Sequence, residues 1–352
     1  MTISRRVLAV LVAAACVVLG LAASTATAVP RQAADVSTLG QITLQSVSNG
    51  RALDVQNGTP GAGSILVTNS APGYDESWHV GAEGSDASFT VVNNTTGECV
   101  DSGLPLRQQP CDGRASELWY FQPIAGSAQH AFMIRHEGDS NCLDLWYNAQ
   151  YDDAWTDSYG CNGSTAQQWV LPATAYQSAW NLAVDHAATQ CQGTPSSCSW
   201  TATAQSPAAP LPTVCVSPVW YNATSAPVPW TFSINNTTGW ASTIGFSLTS
   251  ELTAGTAAAL QAKVSTTVSG STTLNISQTL GNSLTLTVPT AQYGWVALSE
   301  LATQITGDWT FDTQGFPWTA DDTVTVPLTT DPSGAASIYV ARTSPTFTSC
   351  SA

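Results

Sequence analysis

The sequence predicts an all-β protein with an N-terminal domain of three related repeats and a C-terminal domain with an elongated, long-stranded β-sheet. Two observations lead to this prediction. Short sequence elements recur three times between Gln41 and Pro172, which is typical of a domain assembled from internal repeats. Between Thr243 and Val268 apolar residues occupy most even-numbered positions and small or polar residues the odd ones. That period of two indicates strands with one apolar face.

The first 28 residues have the three parts of a secretory signal peptide. Arg5 and Arg6 precede an apolar run over Val7–Ala23, and Ala26–Ala28 offer a small-residue cleavage site. We therefore expect residues 1–28 to be removed and the protein to be secreted. No later apolar run has the length of a membrane-spanning helix.

The charge of the chain excludes several kinds of partner. The signal segment holds two of the nine basic residues and none of the 24 acidic ones, so the remaining chain is strongly acidic. Nucleic acids and anionic lipid surfaces attract clustered positive charge, so neither is an expected partner. A protein of this kind would reach a membrane only through a specific ligand.

Each N-terminal repeat has two short elements. The first reads ALDV, CVDS or CLDL and carries Asp54, Asp101 or Asp144; the second reads ESW, ELW or QQW and ends in Trp78, Trp119 or Trp169. Tryptophan at repeat spacing is first of all a packing signal, so we expect the three rings in the core.

The cysteines follow the same repeat. In the second and third repeats one cysteine stands two residues before the aspartate and another eight residues before the tryptophan, whereas the first repeat lacks both. Because the first repeat lacks both cysteines together, we expect the two cysteines of each other repeat to pair. The predicted disulfides are Cys99–Cys111 and Cys142–Cys161, which suit a secreted chain. No CxxC pair occurs, so we expect no metal site.

Repeats, tryptophan spacing and cysteine pairs together resemble the ricin-type β-trefoil lectins over residues 35–175. The resemblance implies binding of glycans, and galactose-type sugars in particular. It assigns sugar binding to three residues of a repeat. They are the aspartate after the first cysteine, an aromatic residue two positions before the second cysteine, and the polar residue that opens Q-x-W. The chemistry agrees, since a carboxylate accepts bonds from sugar hydroxyls and a ring stacks on an apolar sugar face.

The third repeat matches this pattern best. The resemblance makes Asp144 the acceptor, Tyr159 the ring platform and Gln167 the brace, with Asp157 as a further candidate acceptor. The repeat departs from the family at Ala166, where an asparagine is usual.

The other two repeats are weaker candidates, because Thr68 and Gln109 stand where the ring should be. Their candidate residues are Asp54 and Glu76 in the first repeat and Asp101 and Glu117 in the second. The alternative for all of these acidic residues is that they only cap turns.

Residues 176–213 change to an Ala-, Ser-, Thr- and Pro-rich composition and are expected to form a connector, with a short helix as one alternative for Ala175–Ala187. The remaining cysteines are expected to pair as Cys191–Cys198, closing a tight loop, and Cys215–Cys350, joining the two ends of the C-terminal domain over 214–352.

The alternation over Thr243–Val268 is long enough for both legs of a β-hairpin that crosses a membrane, since each crossing takes about 9–11 residues. Only Glu251 and Lys263 are charged between Trp240 and Ser299. Such a hairpin would turn its apolar side chains to lipid and its hydroxyls to water. The predicted lipid-facing residues are Phe246, Leu248, Leu252, Leu260, Val264 and Val268.

The stretches VWYNATSAPVPWTFSINNTTGW, LTLTVP and YGWVALSELATQITGDWTF around this hairpin resemble the aerolysin-like pore-forming module. The resemblance implies that subunits assemble into a homo-oligomeric ring whose hairpins form one barrel in the target membrane. A trefoil lectin followed by such a module is the architecture of haemolytic lectins. The chain departs from the family at the single Pro289, where two prolines are usual.

Two other functions stay open from the sequence. The protein could be a binding-only secreted lectin with a structural β-sandwich, or a lectin-tethered glycan hydrolase. A hydrolase needs two carboxylates facing one cleft, but most acidic residues after the trefoil stand beside turn residues. No nucleophile, phosphate-binding or zinc-protease motif occurs either. We therefore expect no enzyme activity and no cofactor.

Overall fold

The computed structural model describes residues 39–58, 61–70, 76–82, 86–234, 238–239, 241–242, 277–278, 283–312, 315–328 and 338–350. The predicted signal peptide and the whole alternating stretch Thr243–Val268 lie outside these ranges. The predictions made for them remain predictions.

Twelve strands of the N-terminal domain belong to one sheet. They are β1 (Gln45–Ser46), β2 (Ala52–Val55), β3 (Leu66–Asn69), β4 (Trp78–Ala82), β5 (Phe89–Asn93), β6 (Glu98–Asp101), β7 (Arg107–Pro110), β8 (Trp119–Pro123), β9 (Phe132–His136), β10 (Cys142–Leu145), β11 (Ala154–Tyr159) and β12 (Trp169–Val170). Each repeat supplies one hairpin, β2–β3, β6–β7 or β10–β11. A pairing of β10 with β9 closes part of the sheet on itself. Short 3-10 turns lie at Gln56–Gly58, Ala115–Glu117, Trp146–Asn148 and Thr165–Gln167.

The three repeat tryptophans are fully buried in the core of this domain. Each indole N–H donates to the backbone carbonyl just before the aspartate of its own repeat. The bonds run from Trp78 to Leu53 at 3.1 Å, from Trp119 to Val100 at 3.0 Å and from Trp169 to Leu143 at 2.9 Å. The tryptophans therefore fix the hairpins that carry the candidate aspartates, because a buried indole N–H needs a partner.

Helix α1 (Ala173–Gly193) follows the trefoil and extends through the first half of the predicted connector. Its buried side chains are mostly small, among them Ala179, Ala183 and Ala187, and they join the same apolar cluster as the trefoil core. A 3-10 turn (Pro195–Ser197) then leads into the C-terminal sheets. Within the described ranges no helix has both the length and the apolar character needed to cross a bilayer.

The C-terminal strands that the structure describes form four sheets. The five-stranded sheet contains β13 (Cys198–Gln205), β14 (Ala209–Pro210), β19 (Ala241–Ser242), β23 (Leu301–Phe311) and β24 (Trp318–Leu328). The four-stranded sheet contains β15 (Val214–Cys215), β16 (Trp220–Tyr221), β22 (Tyr293–Ser299) and β25 (Ile338–Ser344). Two strand pairs complete the set, β17 (Val228–Ser233) with β21 (Ser283–Val288) and β18 (Thr238–Gly239) with β20 (Ser277–Gln278).

The all-β prediction, with a trefoil followed by a β-rich domain, is confirmed by these sheets. Strands β23 and β24 pair over eleven residues without a register shift, about twice the usual strand length. Strands β13 and β14 lie within the segment predicted as a connector, and both pair with β23. The C-terminal sheet therefore begins at Cys198, before residue 214.

The chain forms four disulfides with the connectivity that the sequence predicts. Cys99–Cys111 and Cys142–Cys161 stay within their repeats, Cys191–Cys198 joins the end of α1 to β13, and Cys215–Cys350 joins β15 to the chain end. Several disulfides fit an extracellular protein.

Candidate functional site

The site predicted on the third repeat lies on one face of the hairpin β10–β11. Asp144 pairs directly with Asp157 and Cys142 with Tyr159. Residues that face each other across two antiparallel strands project to the same side, as do residues two apart on one strand. The two aspartates and Tyr159 therefore share a face, while Leu143 on the opposite face is buried in the core.

Burial dominates the electrostatics of the two aspartates, which are 7% and 4% exposed. It raises the pKa of Asp157 to about 6. Burial and the negative charge of Asp157 raise the pKa of Asp144 to about 6, and a hydrogen bond from Gln167 opposes the rise. Among the described residues, Asp157 Oδ1 is buried without a hydrogen-bond partner. Asp157 thus presents one acceptor atom that has no hydrogen bond within the described part of the chain.

Gln167 braces the loop that follows Tyr159. Its side chain is fully buried. Its Oε1 accepts the backbone N–H groups of Asn162 at 2.6 Å and Gly163 at 3.2 Å, and its Nε2 donates to the carbonyl of Gly160 at 3.0 Å. Glu117 has the same position in the second repeat and accepts from Asp112 N and Gly113 N through Oε2. The residue that opens Q-x-W is therefore structural in both repeats.

Tyr159, at the end of β11, is 59% exposed. A side chain with so large an apolar ring is more often partly buried. Its ring is available to a ligand that also reaches the aspartates. Ala166, which replaces the usual asparagine, is buried with Leu145 and Ala154 in a small apolar cluster. It supplies no side-chain hydrogen bond to a ligand.

The equivalent acid of the first repeat is already engaged. Asp54 accepts the backbone N–H of Val55 through Oδ1 and the Asn69 amide through Oδ2, each at 2.7 Å. Glu76 is buried as well. Both oxygens of Asp54 therefore have protein partners.

In the second repeat a guanidinium group occupies the corresponding place. Arg114 lies 3.6 Å from the carboxylate of Asp101 and 3.2 Å from that of Glu117. It also pairs with Asp112 at 2.7 Å. A ligand at Asp101 would have to compete with this cation, so the ranking that favours the third repeat has a physical basis.

Sequence reasoning missed the aromatic residues at the other end of the hairpin face. Trp146, in the 3-10 turn after β10, stacks on Trp155 of β11 with ring centroids 4.9 Å apart and planes 13° apart. Tyr147 lies beside Trp146 at 5.3 Å. The available signal was the alternation in AWTDSY, which places Trp155, Asp157 and Tyr159 on one face.

One group of three side chains with metal-ligand atoms lies within the described ranges, away from this hairpin. Asp86, Glu137 and His186 place one such atom each within 4.8 Å of the others, where the trefoil meets α1. The His186 ring stacks on Tyr120 with centroids 4.0 Å apart. Burial lowers the pKa of His186 to about 4, and burial with the charge of Asp86 raises the pKa of Glu137 to about 7.

The comparison with family models concerns the N-terminal domain. Residues 32–103 match the family model described as "Ricin-type beta-trefoil lectin domain-like". No curated protein matches the chain. The matched range covers the first repeat and the start of the second, and the third repeat lies beyond it.

Several solved structures resemble part of the chain. The designed three-fold symmetric protein ThreeFoil is 21% identical, with a TM-score of 0.35 over 38% of this chain and 97% of its own. The C-half of the earthworm R-type lectin, solved in complex with GalNAc, is 18% identical, with a TM-score of 0.31 over 37% of this chain and 96% of its own. The Rhizoctonia solani agglutinin is 20% identical, with a TM-score of 0.32 over 38% of this chain and 93% of its own.

The three hairpins, their buried tryptophans and the family match agree with one another. The N-terminal domain therefore has three trefoil-like repeats, and its residues 32–103 resemble the ricin-type β-trefoil lectin domain-like family.

Proposed function

We propose that this is a secreted lectin that binds galactose-type glycans of cell surfaces through the third repeat of its trefoil. The observation that carries the proposal is the buried Asp144–Asp157 pair, with an unpartnered oxygen, beside the exposed ring of Tyr159. Carboxylates accept strong hydrogen bonds from sugar hydroxyls, and a ring packs against the apolar face of a sugar. Galactose has such a continuous C–H face because its 4-hydroxyl is axial.

Glycan binding should therefore depend on the third repeat. Asp144→Ala and Tyr159→Ala should each weaken it by about 1–3 kcal/mol, the scale of a lost charged hydrogen bond or stacking ring. Titration calorimetry with galactose and the full chain would measure this. Asp54→Ala and Asp101→Ala are the matched controls and should change affinity little. Equal losses at all three aspartates would contradict the assignment.

We further propose that the C-terminal domain permeabilises the membrane to which the lectin attaches, as a homo-oligomer. The supporting observation is the pairing on either side of 243–268. Strand β17 pairs antiparallel with β21, and β18 pairs antiparallel with β20. Two strands before the stretch therefore lie beside two strands after it. In β21 the odd-numbered residues are exposed and the even-numbered ones more buried, and Thr231 and Thr285 join hydroxyls at 2.8 Å.

Release of a dye from vesicles would test the second part. Vesicles that carry a galactose-terminated glycolipid should leak when the protein is added, and vesicles without it should not, because attachment precedes insertion. Free galactose should inhibit the leakage. Binding to the glycolipid vesicles without any leakage would favour a binding-only lectin. Cleavage of the glycan during the assay would favour a hydrolase.

A further inference from the structure

The hairpin face that carries the aspartates continues past them into a cluster of three aromatic rings. We name this set, Trp146, Tyr147 and Trp155, the aromatic cluster. Trp146 and Trp155 are half-buried and stacked, whereas Tyr147 is 87% exposed. Trp155 shares its face with Asp157 and Tyr159 because the three alternate along β11. The two acids are therefore flanked by rings on both sides.

The trefoil fold does not require aromatic residues at these positions. The first repeat has the same 3-10 turn after its aspartate, with Gln56 and Asn57 in the places of Trp146 and Tyr147. Asn57 and Tyr147 both have left-handed backbones, with φ of 60° and 50°. Asparagine tolerates this conformation and a bulky residue does not. The exposed tyrosine therefore adds strain and gains no burial, which points to a role in binding.

The spacing of the rings indicates the size of the ligand. Trp155 and Tyr159 stand four residues apart on one strand, which separates them by about 13 Å at ~3.3 Å per residue. This exceeds the length of one pyranose ring. A single sugar bound at Tyr159 and the aspartates would leave the aromatic cluster uncovered.

We propose that the third repeat binds an oligosaccharide of at least two consecutive sugar rings. The terminal sugar lies against Tyr159 and bonds to Asp144 and Asp157, and the next sugar packs on the aromatic cluster, with Tyr147 as the exposed platform. This inference rests on the proposed lectin function and adds the length of the ligand to it. A bare lipid surface is the other partner that exposed rings could suit, but the carboxylates in the same line favour a hydroxyl-rich ligand.

The test compares galactose with a galactose-terminated trisaccharide by titration calorimetry on the full chain. The unaltered protein should bind the trisaccharide at least tenfold more tightly. The double variant Trp146→Gln, Tyr147→Asn takes the residues of the first repeat, which suit the turn, so it should fold. It should bind both sugars with the affinity that the unaltered protein has for galactose alone.

Tyr221→Asn is the matched control, since Tyr221 is an exposed tyrosine on β16 in the C-terminal domain. It should leave both affinities unchanged. Equal affinity of the unaltered protein for the two sugars, or an equal loss of both in the double variant, would overturn the inference while leaving the lectin function standing. Binding of neither sugar would overturn both. If the double variant lost attachment to glycan-free vesicles instead, the cluster would be a lipid contact.

Discussion

The aspartate at the equivalent position has different neighbours in each of the three repeats. The first satisfies Asp54 with an amide and a backbone N–H, and the second places the cation of Arg114 beside Asp101. The third puts Asp144 directly opposite a second acid, Asp157. Asp157 Oδ1 is buried without a hydrogen-bond partner among the described residues, as Asp101 Oδ1 is in the second repeat. A buried unsatisfied acceptor costs about 1–3 kcal/mol. That cost is understandable where a ligand supplies the missing donors.

The raised pKa values of this pair predict that glycan affinity depends on pH. Both aspartates have a pKa of about 6, so they are ionised at pH 7.5 and mostly protonated at pH 5. Protonation removes an acceptor, so affinity should fall by about tenfold between these pH values for each carboxylate that must be ionised. Calorimetric titration of galactose at several pH values would measure the change.

The same pair should affect folding in the opposite direction. Its pKa values are raised above the unfolded value of 3.8, so its stabilising contribution is fully present below that value and is lost as pH rises through 6. Asp157→Asn should flatten both pH profiles. An affinity that stays constant from pH 5 to 7.5 would show that the carboxylates do not contact the glycan.

At the level of elements, the C-terminal strands bear most directly on the proposed membrane hairpin. Strands β17 and β18, which precede the alternating stretch, pair with β21 and β20, which follow it. The predicted hairpin residues themselves lie outside the described ranges. Their faces can still be tested, because an alternating hairpin in a membrane has one side in lipid and one in water.

A charge on the apolar face of the hairpin should prevent insertion. Leu260→Lys would place an ammonium group toward lipid at a cost of about 2–4 kcal/mol at mid-bilayer. Every subunit of a ring would carry this cost, so dye release from glycolipid vesicles should be lost. Binding to those vesicles should be retained, because the substitution leaves the lectin domain intact.

Thr249→Lys is the matched change on the other face. Its charge would be solvated by water in the lumen, so the variant should still permeabilise vesicles, with altered ion selectivity. Two leaking variants with the same selectivity would contradict the hairpin assignment. If neither variant nor the unaltered protein released dye, only the lectin function would remain.

The elements that could be predicted from the sequence are those with a strong local pattern. Trp78, Trp119 and Trp169 mark the repeats because burial of a large ring requires the same spacing each time. In β13, only Cys198 and Trp200 are buried, so its alternation is too short to recognise. Helix α1 buries mainly alanines, which give little apolar contrast between its faces. The aromatic cluster was missed because its effect depends on strand pairing.

At the scale of the whole molecule, the two domains share one core. A contiguous apolar cluster runs from the trefoil tryptophans through Ala183 of α1 to Trp309 and Trp318 of the five-stranded sheet. Trp180 of the helix contacts Trp318 with ring centroids 5.2 Å apart. The helix is therefore a structural layer between the domains.

A shared core predicts that the described domains unfold together. Leu182 of α1 is 3% exposed within this cluster, so Leu182→Ala should lower the free energy of unfolding by about 2–4 kcal/mol. Tryptophan fluorescence and loss of galactose binding should shift to the same lower denaturant midpoint. The neighbouring exposed residue provides the control, as Asn181→Ala should change stability by less than about 0.5 kcal/mol. Two separate transitions, with only one shifted, would contradict a common core.

The cation that Arg114 places beside Asp101, and the internal bonds of Asp54, have a consequence for the number of glycans that one chain is proposed to bind. If glycan binds only at the third repeat, as proposed, each chain is monovalent. A monovalent lectin attaches to a cell without bridging it to another, so the single chain should not agglutinate cells. A ring of identical chains presents many such sites to one surface, and their combined avidity holds it there far longer than any one site could. Residence on the target would thus increase with each subunit that joins, and single chains would remain free to leave and search.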